Sequence, residues 1–473
     1  MSAPREQFGS RLGFILAAAG SAVGIGNMVG FPVAATKNGG GAFLLIYAIF
    51  VAFICLPVML AEMSVGRHSR KDPLGAYSSM SDGHKGWKVA GWLSIITPFM
   101  IAVFYLVITV WIFGYLFHSV TGNLDMLAAP DTFGSFINGY DLFYYMVGVL
   151  AIIYLILQGG VKQGIEKAAK FMMPTLFIML IALVIFVLTL DNAFEGVKYY
   201  VIPDFSKINA SVVNGALSQA FFSLSLGMGI MITYGSYLDK KTDVPGSAKM
   251  VALLDTAVAF IAGLLILPAV FSFNPDINTN DLSDSSVGMI FTFLPKIFLA
   301  LQATIGYVGA SAVASFFFLL VFFAAITSIV SIFEVPVAAL MEEKKFSRRK
   351  ALGWMGLLLV VMALMAATSF GMIDFFTGFV SYAGQSKSFF DVIIDVFYDT
   401  ILPLNGLLIC LFVIYRWKKA NFNKELDEGA PHYAHSWFER YVDFSVGTFI
   451  PVILLLVLIN TIALKFFGAA LIG

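Results

Sequence analysis

Gly20-Ser21-Ala22-Val23-Gly24-Ile25-Gly26-Asn27 lies inside an apolar run that extends over about 12–35. Gly20, Gly24, Gly26 and Gly30 weaken the middle of that run as helix, because glycine gives up the most backbone entropy there. Pro32 then withholds a donor and crowds the preceding turn. Broken backbone at membrane depth persists only where it faces protein or a water-filled cavity. Its freed carbonyls and amides become ligands for ions and for a polar solute. Glycines alone serve equally well as a seam for close helix packing, but Asn27 and Ser21 beside them favour a site. A second interruption, Ser223-Leu224-Ser225-Leu226-Gly227-Met228-Gly229, repeats the G-x-G pattern in a later apolar run. Asp255 stands in Leu253-Leu254-Asp255-Thr256-Ala257-Val258, with no basic residue within a helical turn on its own face. A lone carboxylate there must neutralise or find a cation. Thr327-Ser328 put two hydroxyl oxygens on another apolar run, where they suit a small hard cation or, more plainly, join helices.

These groups need a frame of membrane spans. The chain has 473 residues, 59% hydrophobic and 12% charged, with a mean hydropathy of +0.88. A soluble protein is roughly 25% charged, so the composition is that of an integral membrane protein. Zero net charge argues against a nucleic-acid partner. Cys55 and Cys410 both lie in apolar runs and imply no disulfide framework. The N-terminus imitates a signal peptide, with Arg5, Arg11 and small residues from Ala17 to Ala22; the run continues to Ala35, so a retained first span is expected.

Apolar periods and breaks give about eleven spans: 11–35, 41–66, 90–118, 142–158, 168–190, 212–237, 246–272, 308–341, 351–370, 387–415 and 442–467. The stretch 274–304, with Asp276, Asp281 and Asp284 ahead of an apolar 287–303, reads as a re-entrant or surface helical loop. No loop is long enough for a soluble domain, so 1–473 is one unit. With the N-terminus cytoplasmic, most of the 29 Lys and Arg fall in cytoplasmic segments, which puts the C-terminus outside a cell (inner) membrane. The two breaks lie five spans apart, so the halves run in opposite directions. That pattern predicts an all-α inverted repeat, spans 1–5 (11–190) and 6–10 (212–415), with 442–467 as an additional helix and broken helices 1 and 6.

Several motifs in this order resemble the neurotransmitter:sodium symporter family, in particular its bacterial leucine-transporter-like members. They are Arg11-Leu12-Gly13 through Gly24-Ile25-Gly26-Asn27, Phe31-Pro32, Asn38-Gly39-Gly40-Gly41-Ala42-Phe43 and Gly164-Ile165-Glu166-Lys167. Met173-Pro174-Thr175-Leu176-Phe177-Ile178, Phe221 to Gly229, Thr327-Ser328, Ser347-Arg348-Arg349-Lys350 and Leu402-Pro403-Leu404 complete the match. The resemblance implies a sodium-coupled symporter that imports a neutral, apolar amino acid by alternating access. One sodium site would use the carbonyls of Gly20, Val23 and Ala324 with the hydroxyls of Thr327 and Ser328. The second would use the Ala22 carbonyl, the Asn27 amide, Ser223 and Asp255, completed by the substrate's own carboxylate. Amides near Ala22, Gly24 and Gly26, with the Tyr105 hydroxyl, would bind that carboxylate; carbonyls of Phe222, Ser223 and Ser225 would hold the amino group. Ile101, Tyr105, Phe222, Met228, Ser328 and Ile332 would wall the side chain, with Ser21 and Ile25 in the same lining. Gly24 replaces the aspartate of monoamine carriers, which favours a solute bringing its own carboxylate.

The resemblance also makes Glu62 a brace for the sixth-span break, and pairs Arg5 with Glu342 at an inner gate near Tyr237. Glu334 is either a structural hydrogen-bonding group or a participant in inner-gate opening. Three departures stand out. Gly30 replaces the outer-gate arginine, its aspartate partner falls on Asp391 or Asp395, and Phe8 replaces the inner-gate tryptophan. Asp255 stands where the family carries a sodium-ligating asparagine, beside Ala259 and counterparts of the chloride-site residues Tyr47, Gln219 and Ser223. Asp255 is therefore expected to supply the negative charge itself, so that transport needs no chloride. No organic cofactor is implied, the partners are an amino acid and the lipid bilayer, and the oligomeric state is left open. A channel would want pore-lining rings about an axis. An intramembrane enzyme would want an H-E-x-x-H or G-x-S-x-G motif, and the chain has neither. A non-transporting amino-acid sensor on the same fold would bind without flux. His432-x-x-His435 lacks further ligands and is not expected to hold a metal.

Overall fold

The computed structural model describes residues 6–273, 288–430 and 432–469. Among the described residues nine helices are long and apolar enough to cross a membrane unbroken, and the pair Arg11–Ala22 and Gly26–Lys37 forms a further span bent by 54°. The shorter helices Ala210–Ser223 and Ile230–Gly235 flank a second interruption; they are taken together as span 6, one more than the ten that length and hydropathy give. In order, span 1 is the bent pair, span 2 Gly41–Ser69, span 3 Lys85–Val120, span 4 Asp141–Gln158 and span 5 Gly160–Val187. Span 6 is the interrupted pair. Span 7 is Val244–Phe273, span 8 Gln302–Lys344, span 9 Arg348–Phe370, span 10 Phe389–Trp417 and span 11 Trp437–Phe467.

Several ends lie further out than hydropathy places them, because polar first turns are closed by caps rather than by apolar residues. Ser347 accepts from the Lys350 amide to start span 9, and Ser436 accepts from Glu439 to start span 11 at Trp437 instead of 442. Span 5 starts at Gly160 rather than 168, through a π-helical stretch Gly160–Glu166. The apolar part of 287–303 forms the short helix Leu294–Ala300 after a π-helical turn Met289–Phe293. It does not cross: the Tyr115 hydroxyl donates to the Phe291 carbonyl at 3.1 Å and holds it against span 3. Asp276, Asp281 and Asp284 lie outside the described residues. One element departs from an all-α reading. Strands β1 (Val380–Tyr382) and β2 (Gln385–Lys387) pair antiparallel between spans 9 and 10. Ala383 and Gly384, at φ 51° and 74°, form their two-residue turn, the backbone handedness that matches strand twist.

The two breaks have local causes. Span 1 leaves helical geometry at Val23 (φ −72°, ψ 94°) and resumes at Gly26. Pro32 is not a breaker here; it sits in the first turn of Phe31–Lys37, where the preceding π-helical turn Gly26–Gly30 makes room for it. Span 6 is interrupted by three left-handed residues, Ser225, Gly227 and Gly229. At Gly227 both conformation and space demand glycine, since a Cβ would lie 2.3 Å from the Leu402 carbonyl oxygen. On the face where span 1 begins, the helix Lys419–Asp427 folds back under the bundle. Fully buried Arg67 donates to Glu425 at 2.7 Å and to the Thr242 carbonyl at 2.7 Å. Burial opposes ionisation of Glu425, yet hydrogen bonds from His68 and Arg67 hold its carboxyl below the usual carboxylate range.

Spans 2 and 6 meet at backbone distance through small residues. A Cβ at Gly66 would lie 1.9 Å from the Ile232 carbonyl oxygen, and one at Gly235 would lie 2.4 Å from that of Met63. Gly66→Ala is therefore expected to destabilise the fold by about 1–3 kcal/mol. Gly353→Ala, at a position with nothing within 4 Å, should leave the melting midpoint in detergent unchanged. Equal midpoints for the two variants would show that the contact at Gly66 gives way freely.

Candidate ion and solute site

The breaks of spans 1 and 6 face each other and are tied by side chains. The Ser225 hydroxyl donates to the Ser21 carbonyl at 3.0 Å, and the Asn27 side-chain amide donates to the Ser223 hydroxyl at 3.0 Å. The unwound backbone of span 6 is braced on both sides. Glu62 accepts from the Gly227 amide at 2.7 Å, as expected of it, while Asn405 of span 10 donates to the Gly227 carbonyl at 2.8 Å. Asn405 was not anticipated; a lone amide in the apolar run of span 10 was the available signal.

Asp255 is fully buried and meets donors only. Its oxygens accept from the Asn27 amide at 2.7 Å, the Ser223 hydroxyl at 2.8 Å and the Tyr47 hydroxyl at 3.1 Å. Asn27, Ser223 and Asp255 thus come together, and Tyr47 joins them. Gln219 does not: it donates to the Gly26 carbonyl at 3.1 Å, away from the carboxylate. Ala22 ends the first half of span 1 and is buried.

The second cluster lies between spans 1 and 8. The Ser328 hydroxyl is 3.4 Å from the Gly20 carbonyl oxygen, 3.1 Å from that of Ser21 and 3.3 Å from that of Val23. The Thr327 hydroxyl is 3.1 Å from the Ala324 carbonyl oxygen. All five expected positions are therefore neighbours. Ser331, one turn along span 8, adds a hydroxyl 2.6 Å from that of Ser21, a contact the sequence reading did not name.

The Tyr105 hydroxyl accepts from the Ile25 amide at 3.1 Å, and the Gly24 amide donates to the Asn27 side-chain oxygen at 3.3 Å. A Cβ at Gly24 would sit 2.5 Å from the Tyr105 oxygen and 2.8 Å from that of Ser328, so this position has no room for a side chain. A cavity of about 400 Å³ runs from Ile25, Gly26, Tyr105 and Phe222 to Gly30 and Lys37, with Tyr398 and Ile394 of span 10 on its far wall. Ile101, Met228, Ser328 and Ile332, expected to wall the same pocket, are buried below it and do not line it. The reason is the Phe222 ring, which closes the floor against Tyr398 at a centroid distance of 4.4 Å.

The opposite face is sealed by a denser network than the one expected. Arg5 lies outside the described residues. Glu342 accepts from the Asp72 amide at 2.8 Å, and Tyr237 donates to Glu334 at 2.8 Å. Fully buried Glu334 pairs with Arg348 at 2.5 Å, and Arg348 reaches Glu6 at 3.5 Å. Phe8 packs edge-on against Phe14, Tyr234 and Tyr237. At the Lys37 face Asp391 caps span 10 with Ser388, whereas Asp395 is 2.9 Å from Lys465 of span 11; span 1 offers no side chain at Gly30.

A polytopic bundle whose two broken helices share a polar site, under a vestibule on one face and a sealed network on the other, defines a membrane carrier. The chain belongs to the sodium:neurotransmitter symporter family, whose family model matches residues 5–135 and 137–468, and it is a sodium-dependent transporter rather than an enzyme. It is 33% identical over 473 residues to the uncharacterized sodium-dependent transporter YhdH of Bacillus subtilis (strain 168), covering 98% of each chain. The crystal structure of MhsT in complex with L-phenylalanine superposes with a TM-score of 0.82 at 36% identity, covering 96% of this chain and 99% of that one. A more distant relative, the sodium- and chloride-dependent GABA transporter ine of Drosophila melanogaster, is 26% identical over 425 residues, 80% of this chain and 44% of its own.

Removing the Asn405 amide leaves the Gly227 carbonyl oxygen buried and unpaired, a loss of about 1–3 kcal/mol concentrated at the break. Asn405→Val should fold yet lose most of the stabilisation that sodium gives the wild-type protein in a thermal-shift assay. Full sodium stabilisation in the variant would remove Asn405 from the site.

Proposed function

We propose that this chain imports a neutral, apolar amino acid together with two sodium ions by alternating access, and that it does so without chloride. The observation that carries the reading is the convergence of three donors, from Asn27, Tyr47 and Ser223, on the carboxylate of Asp255. A buried carboxylate held by neutral donors keeps its negative charge locally uncompensated, which is what a cation beside it needs. Asp255, Asn27, Ser223 and the Ala22 carbonyl would hold one sodium ion. The oxygens of Gly20, Val23, Ala324, Thr327 and Ser328 would hold the other; all are neutral oxygen donors, the set a hard cation prefers. Gly24 has no room for an acid, so the solute brings its own carboxylate, which the Tyr105 hydroxyl and the amides near Ala22, Gly24 and Gly26 would receive. L-Phenylalanine in the MhsT structure supports an apolar amino acid of medium or large size. Carbonyls of Phe222, Ser223 and Ser225 would take its amino group, and Ile101, Met228 and Ile332 would wall its side chain once Phe222 moves. The distribution of Lys and Arg supports a cytoplasmic N-terminus in the cell (inner) membrane, an outer C-terminus and a vestibule open to the outside. The halves 11–190 and 212–415 then act as the two inverted repeats. Moving one charge through 100 mV yields about 2.3 kcal/mol, so two sodium ions would sustain roughly a thousandfold accumulation from voltage alone.

In proteoliposomes, uptake of the twenty amino acids compared in sodium and in potassium identifies the substrate. Replacing chloride by gluconate at constant sodium should leave wild-type flux unchanged. Asp255→Asn should lose activity or acquire chloride dependence; collapse of wild-type flux in gluconate would falsify the role given to Asp255. Saturating sodium at about a hundred times its Kd stabilises a protein by about 2.7 kcal/mol. Thr327→Val with Ser328→Ala should lose that sodium-linked rise in melting temperature while keeping the sodium-free midpoint.

A further inference from the structure

Span 10 carries two carboxylates one turn apart, Asp395 and Asp399, within the π-helical stretch Ile394–Ile401. A single lysine of span 11 serves both: the Lys465 ammonium is 2.9 Å from Asp395 and 2.7 Å from Asp399. The other Asp395 oxygen accepts from the Tyr382 hydroxyl at 2.7 Å, with Lys387 at 3.6 Å, so the hairpin closes the cluster from above. Asp395 is almost entirely buried, and Lys465 and Asp399 are only partly exposed. Between the two acids in sequence stands Tyr398, whose ring lies 4.4 Å from that of Phe222 and 6.0 Å from that of Phe104. Asp399, Tyr398 and Phe222 also line a hollow of about 40 Å³ shared with Thr461 of span 11. Two lysines therefore balance the two acids, Lys387 from the hairpin at Asp395 and Lys465 from a helix outside the paired halves at both, and the stretch they stabilise carries half of the lid that closes the floor of the vestibule.

We propose that Lys465 is a positioning residue for this lid: by pairing with Asp395 and Asp399 it fixes the π-helical stretch that presents Tyr398 to Phe222. Without Lys465, Lys387 still faces Asp395, but Asp399 is left without its lysine beside a like charge one turn away, and the stretch then relaxes along span 10, which carries Tyr398 off the Phe222 ring. The proposal rests on the transporter reading only in taking the space beneath Phe222 as the solute's.

The test uses the full-length protein in detergent with Ile101→Cys as reporter. Ile101 is fully buried one turn along span 3 from Tyr105, and the native Cys55 and Cys410 are buried as internal controls. With Lys465 present, a small maleimide in potassium medium should label the introduced thiol slowly. Lys465→Met should speed that labelling about tenfold, the scale of a modest conformational coupling, and Lys465→Arg should restore the slow rate. In the triple variant Lys465→Met, Asp395→Asn, Asp399→Asn the charges that need the lysine are gone, and labelling should again be slow. An unchanged rate in Lys465→Met overturns the proposal, as does a fast rate in Lys465→Arg or in the triple variant. Equal acceleration at Cys55 and Cys410 would show general loosening and overturn it too. Failure of the amino-acid reading shows separately, as absence of protection by L-phenylalanine in sodium in every variant, and leaves the comparison of rates intact.

Discussion

A peptide group that leaves a helix inside the hydrocarbon layer must find a partner from the protein, because no water is there to take it. That constraint accounts for most of the polar residues around the two breaks. Glu62 and Asn405 hold the amide and the carbonyl of Gly227 from spans 2 and 10, and Ser225 reaches the carbonyl of Ser21. Each brace comes from a different span, so the unwound segment of span 6 is a joint among several helices rather than a defect in one. Gly227 and Gly229 take the left-handed region without strain, whereas Ser225, the non-glycine residue there, stores local backbone strain that such bracing makes tolerable.

The buried acids divide into two kinds. Glu334 has Arg348, and Asp395 and Asp399 have Lys465 and Lys387, so these are paired within the protein and lie toward the two faces. Asp255, beside the breaks, meets hydroxyl and amide donors and, among the described residues, no cationic side chain. Charge that is already paired latches helices together; charge that is only solvated by dipoles is left to attract something mobile. The placement fits the proposed carrier, with paired charge toward the two faces and the Asp255 carboxylate at the centre.

Much of this was legible in the sequence because membrane spans and glycine-rich breaks leave long-range signals in composition. The spans and both breaks follow from residue types in apolar context, whereas the grouping of Asn27, Ser223 and Asp255, and of Thr327 and Ser328 with span 1, comes from the resemblance to the family. What was not legible depends on distances between spans far apart in the chain. Nothing in the run around Asn405 says that its partner is Gly227, 178 residues away. Nothing around Asp395 says that Lys465 rather than a residue at position 30 will neutralise it. Pro32 misled for the converse reason: a residue that breaks an α-helix is absorbed when the turn before it widens to a π-helix. The hairpin β1–β2 was missed because three-residue strands carry too little periodicity to separate from a loop.

The floor of the vestibule gives the arrangement a direction. Phe222 directly precedes Ser223, which contacts Asp255, and its ring rests on Tyr398 of span 10. Any displacement of Ser223, such as a cation arriving beside Asp255 would produce, moves the backbone that carries the Phe222 ring. The lid and the ion-facing carboxylate are thus neighbours on one short, braced segment. In the same way Ser328 contacts carbonyls at the end of the first half of span 1 and at the break itself, so a cation bound there would draw span 8 and the broken segment together. On the proposed assignment, coupling between ion and solute requires no long path through the protein, because the groups proposed to hold the ion and those proposed to enclose the solute belong to the same two interruptions of helix.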